Sequence, residues 1–223
     1  MVGSRKGSDA LCRYMANKSG CRVFSIEYRL APEFKFPVPV EDCFAALDFI
    51  NKNHKDLLVD KNKLVVAGDS AGANLATVVA IMARERKDIN LAYQLLIYPA
   101  TDASSHYPSY DENSKGFLLE KSSMDWFYNH YLPNDDARKD WRVSPILAED
   151  LSNLPPSYII TVLADPLRDE GRAYVEKLKE NGNDVEHVEY SDTLHAFFSW
   201  ATVFESSKKA VDKACKSINK ALG

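Results

Sequence analysis

Apolar and polar positions along this chain repeat with two periods, one near two residues and one near 3.6, and the places where the period switches mark out the elements. Residues 9–19 have helical spacing. Val23-Phe24-Ser25-Ile26, within Cys21 to Leu30, reads as a strand, and Val40, Phe44, Leu47 and Ile50 form one helix face behind Pro37 and Pro39. A strand over Leu64 to Gly68 runs into a helix from Ser70 to about Arg86, and Tyr93-Gln94-Leu95-Leu96-Ile97-Tyr98 is a strand stopped by Pro99. From Thr101 to about Pro156 the alternation breaks into a polar and aromatic excursion holding one helix, Ser122 to Tyr131, and an excursion of that length points to function. Regular order returns with the strand Tyr158 to Leu163, a helix from Asp169 to Glu180 stopped by Asn181-Gly182, and an alternating strand Val185 to Tyr190. A last helix is expected from about Ala196, with Trp200, Phe204, Val211, Ala214 and Ile218 along its stripe. Strand and helix in regular succession predict an α/β fold with a mostly parallel sheet flanked by helices.

Composition narrows the function without deciding it. The 223 residues carry a formal charge of -4, with Lys and Arg dispersed, so a nucleic-acid partner is not expected. No apolar run approaches bilayer-spanning length, so no membrane span is expected either. Cys12, Cys21, Cys43 and Cys215 lack C-x-x-C spacing and a histidine cluster, which argues against a metal site and for a reducing compartment; a cytoplasmic location is the expectation. Neither internal repeats nor low-complexity tracts occur.

The chemistry gathers at Gly68-Asp69-Ser70-Ala71-Gly72. A G-x-S-x-G segment between a strand and a helix is a nucleophile elbow, in which small residues at 68, 71 and 72 let strand and helix approach. A serine hydroxyl is a poor nucleophile near neutral pH and needs an imidazole to take its proton and a carboxylate to hold that imidazole. Asp165, directly after the strand Tyr158 to Leu163 and before Pro166, is the candidate acid, and His195, between the last strand and last helix, the candidate base. His54, His106, His130 and His187 fit that position less well. Asp169 and Glu170 read as carboxylates at a helix start, and Asp69, Arg29 and Glu33 as structural hydrogen-bonding or ion-pairing groups. Phe117-Leu118-Leu119, Met124, Trp126, Phe127, Tyr128 and Tyr131 suit an acyl pocket and simple packing of the excursion equally.

Four segments carry a family resemblance: Tyr28-Arg29-Leu30-Ala31-Pro32-Glu33, the elbow through Ala73-Asn74, Asp165-Pro166-Leu167-Arg168-Asp169-Glu170-Gly171, and His195-Ala196-Phe197. With these the chain resembles the hormone-sensitive-lipase-like branch of the α/β-hydrolase fold, which includes bacterial carboxylesterases and is similar to arylacetamide deacetylases. The resemblance implies a single catalytic domain over 1–223 with residues 101–156 as a partial cap. It implies Ser70 as nucleophile, His195 as general base and then acid, Asp165 as its partner, and the N–H of Ala71 as an oxyanion donor. It also implies a small-molecule ester as substrate and no cofactor. The family's His-Gly-Gly-Gly segment, which supplies further oxyanion donors, does not occur in these residues. The expectation is therefore an N-terminally shortened chain lacking the family's first strands, with two unpaired strand edges and turnover slowed by at least about a hundredfold. The activity expected is hydrolysis of short to medium acyl esters. A degenerate hydrolase that binds a small apolar ligand, and an amidase or deacetylase on the same triad, stand as alternatives.

Overall fold

The computed structural model describes residues 1–223. Its four strands, β1 (Leu64–Asp69), β2 (Leu91–Ile97), β3 (Ser157–Ala164) and β4 (Val185–Leu194), lie side by side in chain order, and every neighbouring pair is parallel. Parallel neighbours need long crossovers. These are supplied by α3 (Ala71–Arg84), by the excursion with α4 (Pro108–Glu112) and α5 (Lys121–Tyr131), and by α6 (Arg168–Glu180). The remaining helices are α1 (Arg5–Ser19), α2 (Val38–Lys52) and α7 (Glu205–Leu222).

Side chains along a strand point alternately to opposite faces, and here that divides the core in two. Leu95, Ile97, Tyr158, Ile160 and Val162 face Val211, Ala214 and Ile218 of α7. Leu96 and Ile159 face Ala73 and Ala76 of α3 and Tyr174, Val175 and Leu178 of α6. Helices thus cover both faces of β2 and β3, as the near-continuous apolar runs of those strands require.

Three expectations need correction. No strand forms over residues 21–30, and residues 21–29 make no backbone–backbone hydrogen bond. A strand exists only through the ladder it shares, and no strand of this chain lies alongside this one; Val23, Phe24 and Ile26 are consequently well exposed. The last helix starts not at Ala196 but at Glu205. Ala196 is left-handed, with φ 68°, and a short 3-10 turn over Phe197–Trp200 follows it, so Trp200 and Phe204 lie outside the helix. The first helix begins four residues earlier than its apolar spacing indicates, because Ser4 caps it by accepting the Gly7 N–H at 3.1 Å.

Candidate active site

The register of the sheet brings the chemistry together. Asp69 pairs with Ile97 and Ala164 with Leu194, so Ser70, Tyr98, Asp165 and His195 are each the first residue past a strand end at the same edge of the sheet. The β3–β4 register shifts between Val162 and Ala164, an irregularity that re-aims the strand end just before Asp165.

Ser70 sits at φ 53°, ψ −119°, a conformation rarely adopted by a residue with a side chain. Backbone hydrogen bonds hold it there: its N–H donates to the Ile97 carbonyl at 2.9 Å, and its carbonyl accepts from the Ala73 and Asn74 N–H groups. Strand and helix then come so close that a Cβ on Gly68 would lie 2.2 Å from the Gly72 backbone, which only glycine tolerates. At Gly72 a Cβ would meet only Asp69 Oδ1, at 3.9 Å, so glycine itself is required at 68 but not at 72. Ala71 begins α3, where the first N–H groups have no intrahelical acceptor.

The three sequence-expected residues meet. His195 Nδ1 lies 2.6 Å from Asp165 Oδ2, and His195 Nε2 lies 2.9 Å from Ser70 Oγ. A carboxylate only accepts, so Nδ1 carries the proton and Nε2 is free to accept from the serine hydroxyl. Asp165 is fully buried and His195 is 7% exposed. The other carboxylate oxygen of Asp165 accepts the Leu167 N–H at 2.9 Å, and its carbonyl accepts from Asn113 Nδ2 at 3.2 Å. In so dry a site, each of these bonds is worth more than it would be in water.

Several contributors went unnoticed in the sequence. Tyr98, with φ 37°, places its ring 4.6 Å from the His195 imidazole and so backs it against the core. Asn74 reaches from α3 to the Ala100 and Val143 carbonyls, both at 2.8 Å, and so ties the elbow helix to the excursion. Glu170 lies in the first turn of α6, as expected, but it is fully buried. Its Oε1 accepts the Thr101 and Asp102 N–H groups and its Oε2 meets the Tyr110 hydroxyl. Burial raises its pKa to about 8, against the opposing pull of those hydrogen bonds. A protonated Glu170 can donate to Tyr110, leaving the phenol to donate to the Asp102 carbonyl at 3.2 Å. The signal available in the sequence was an unpaired acid next to Gly171, whose hydrogen-bond partners lie some 60 to 70 residues away.

Asp169 accepts the Ser109 N–H and pairs with Arg168 and Arg172. Arg29 is structural, as expected, and forms a bidentate pair with Asp42. Of the apolar excursion residues, Leu119 and Met124 pack with Tyr110 and Leu167, whereas Leu118 and Trp126 are largely exposed. Met124 and Tyr128 also line a cavity of about 120 Å³ with Ala103, His106, Lys121 and Arg138. Neither Ser70 nor His195 lines it.

An elbow serine, a histidine and a buried aspartate at the carboxyl edge of a parallel sheet define a serine hydrolase constellation. Residues 1–199 match the family described as alpha/beta hydrolase fold. The chain belongs to that family. It is 33% identical to the ethyl acetate hydrolase of Pseudomonas putida, covering all of this chain and 70% of the relative. It is 35% identical to the carboxylesterase NlhH of Mycobacterium tuberculosis, over 99% of this chain and 70% of that one. Among solved structures, the hyperthermophilic esterase of Pyrobaculum calidifontis superposes with a TM-score of 0.95 at 43% identity, covering 98% of this chain and 72% of its own. No helix of the chain is long and apolar enough to cross a membrane.

Proposed function

We propose that this carboxylic ester hydrolase is a serine carboxylesterase of the hormone-sensitive-lipase-like branch, acting on short to medium acyl esters of small molecules through an acyl-enzyme. The observation that carries the reading is the unbroken hydrogen-bond line from Ser70 Oγ through His195 to Asp165, at 2.9 and 2.6 Å. Ser70 attacks the ester carbonyl while His195 Nε2 accepts its proton. The same nitrogen then returns that proton to the leaving alkoxide, and in the second half-reaction it activates the water that releases the acid. Asp165 holds the tautomer and stabilises the imidazolium. The Ala71 N–H, unclaimed at the start of α3, donates to the oxyanion. Residues 1–223 act as one catalytic domain, with 101–156 as its cap. The four free thiols suit a reducing, cytoplasmic setting.

The branch assignment draws on the segments Tyr28 to Glu33, Gly68 to Asn74, Asp165 to Gly171 and His195 to Phe197. The test is hydrolysis of p-nitrophenyl acetate and butyrate by the chain and by Ser70→Ala, both verified as folded. Turnover that falls about 10⁶-fold in the variant supports the assignment. Equal background rates from both proteins would overturn it in favour of a degenerate, ligand-binding hydrolase.

A further inference from the structure

We propose that Asn113 and Ser109 are positioning residues for the acid of the triad: they clamp the main chain of residues 165–169 and so set where the Asp165 carboxylate stands. The inference rests on the triad reading above. Asp165 lies on a loop of only three residues between β3 and α6, and its carboxylate must hold His195 to within a few tenths of an ångström.

The loop is gripped from the side by one turn of helix. Asn113, at the end of α4, is buried and donates Nδ2–H to the Asp165 carbonyl at 3.2 Å. Ser109, with no exposed surface, donates its hydroxyl to the Pro166 carbonyl at 2.6 Å and accepts the Asp169 N–H at 3.2 Å. Its own N–H donates to Asp169 Oδ2 at 3.0 Å. Between these two residues, Glu112 pairs with Arg168 at 2.7 Å, and Arg168 Nη1 donates to the Leu163 carbonyl at 3.3 Å. Tyr110 reaches Glu170 from the same turn.

Asp165 and the residues after it are therefore held by α4 and Asn113, and Leu163 before it through Arg168; α4 belongs to the excursion and not to the sheet. The Asp165 carbonyl also accepts the Arg168 N–H at 3.1 Å, so Asn113 is its second donor, whereas the buried Pro166 carbonyl has no backbone donor; without the two side chains the loop would lose a bond at 165 and leave an acceptor unsatisfied at 166. The other wall of α4 carries Tyr110, which packs with Leu119 and Met124 of the cap. The clamp thus connects the cap to the acid while neither clamping residue contacts His195.

The experiment is a double-mutant cycle on kcat and KM for p-nitrophenyl butyrate, using the wild-type chain, Asn113→Ala, Asp165→Asn and the double variant, each below its own melting temperature. Asn113→Ala is expected to lower kcat by roughly 10- to 100-fold with KM changed less than about twofold. In the Asp165→Asn background, already slowed by about 10⁴-fold, it should cost less than about twofold more. Losses that multiply, or a raised KM with unchanged kcat, would overturn the clamp and leave a packing role. Wild-type turnover in Asp165→Asn would overturn the triad reading, and the clamp with it. Ser109→Ala takes the place of Asn113→Ala in the cycle should the latter not fold.

Discussion

An interior strand and an edge strand of the sheet differ sharply. The first six residues of β3 are buried, enclosed between β2, β4 and helices on both faces. By contrast, β1 has one unpaired edge, with Ala67 and Asp69 exposed, and residues 21–29 join no ladder. Asp165 therefore follows the enclosed interior strand, whereas Ser70 and His195 follow the two edge strands, β1 and β4. What compensates for the open edge at Ser70 is local: the close strand–helix contact at Gly68, the Ser70–Ile97 bond, and Asn74 fastening α3 to the excursion. The constellation can thus persist even where the sheet beside it is thin.

The largest expected effect tests that local compensation. Gly68→Ala drives a methyl into the Gly72 backbone, so the elbow must open; esterase activity is expected to vanish, and the protein to lose stability by more than about 3 kcal/mol in denaturant titration. Normal activity in that variant would mean that the strand–helix contact at the elbow is looser than described. The second test sets the interior strand against the unpaired segment. Ile159→Ala, at a fully buried site, should cost about 2–5 kcal/mol, whereas Val23→Ala, 40% exposed on the unpaired segment, should cost less than about 1 kcal/mol. Equal costs would erase that contrast.

The third test sharpens the enclosed side through Glu170, whose pKa is raised to about 8 by burial. The folded protein holds this proton where the unfolded chain, near the ordinary glutamate value, has released it. Its contribution is fully present below the unfolded value and is lost as pH rises through about 8. Glu170→Gln keeps the neutral shape and cannot ionise, so its stability relative to wild type should rise with pH between about 4.5 and 8, by at most about 1.4 kcal/mol per pH unit. A flat difference would mean that Glu170 is charged in the folded state, with Tyr110 donating to it.

Much of the site was legible because its signals are local. The strand, the tight turn and the helix around Ser70 adjoin in sequence, Asp165 comes directly after an apolar strand, and His195 lies shortly past an alternating one. The expected strand over 21–30 had the right residues and failed for want of a partner, which no window of sequence contains. The final helix was placed too early because Trp200 and Phe204 fall on its stripe by spacing, while the left-handed turn at Ala196 breaks the backbone ahead of them.

By itself, the amino-acid sequence determined the α/β alternation, the elbow and the candidates for nucleophile, base and acid, since each depends on a residue type within a few positions of a strand end. Tertiary structure alone decided how those groups are held. The roles of Tyr98, Asn113, Ser109 and Glu170 rest on partners 50 to almost 100 residues away, and on burial that changes what a carboxylate or an amide can do there. A hydrogen bond across such a separation leaves no periodic trace in the chain. It exists because the sheet register brings four strand ends to one edge and lets the excursion pack against them.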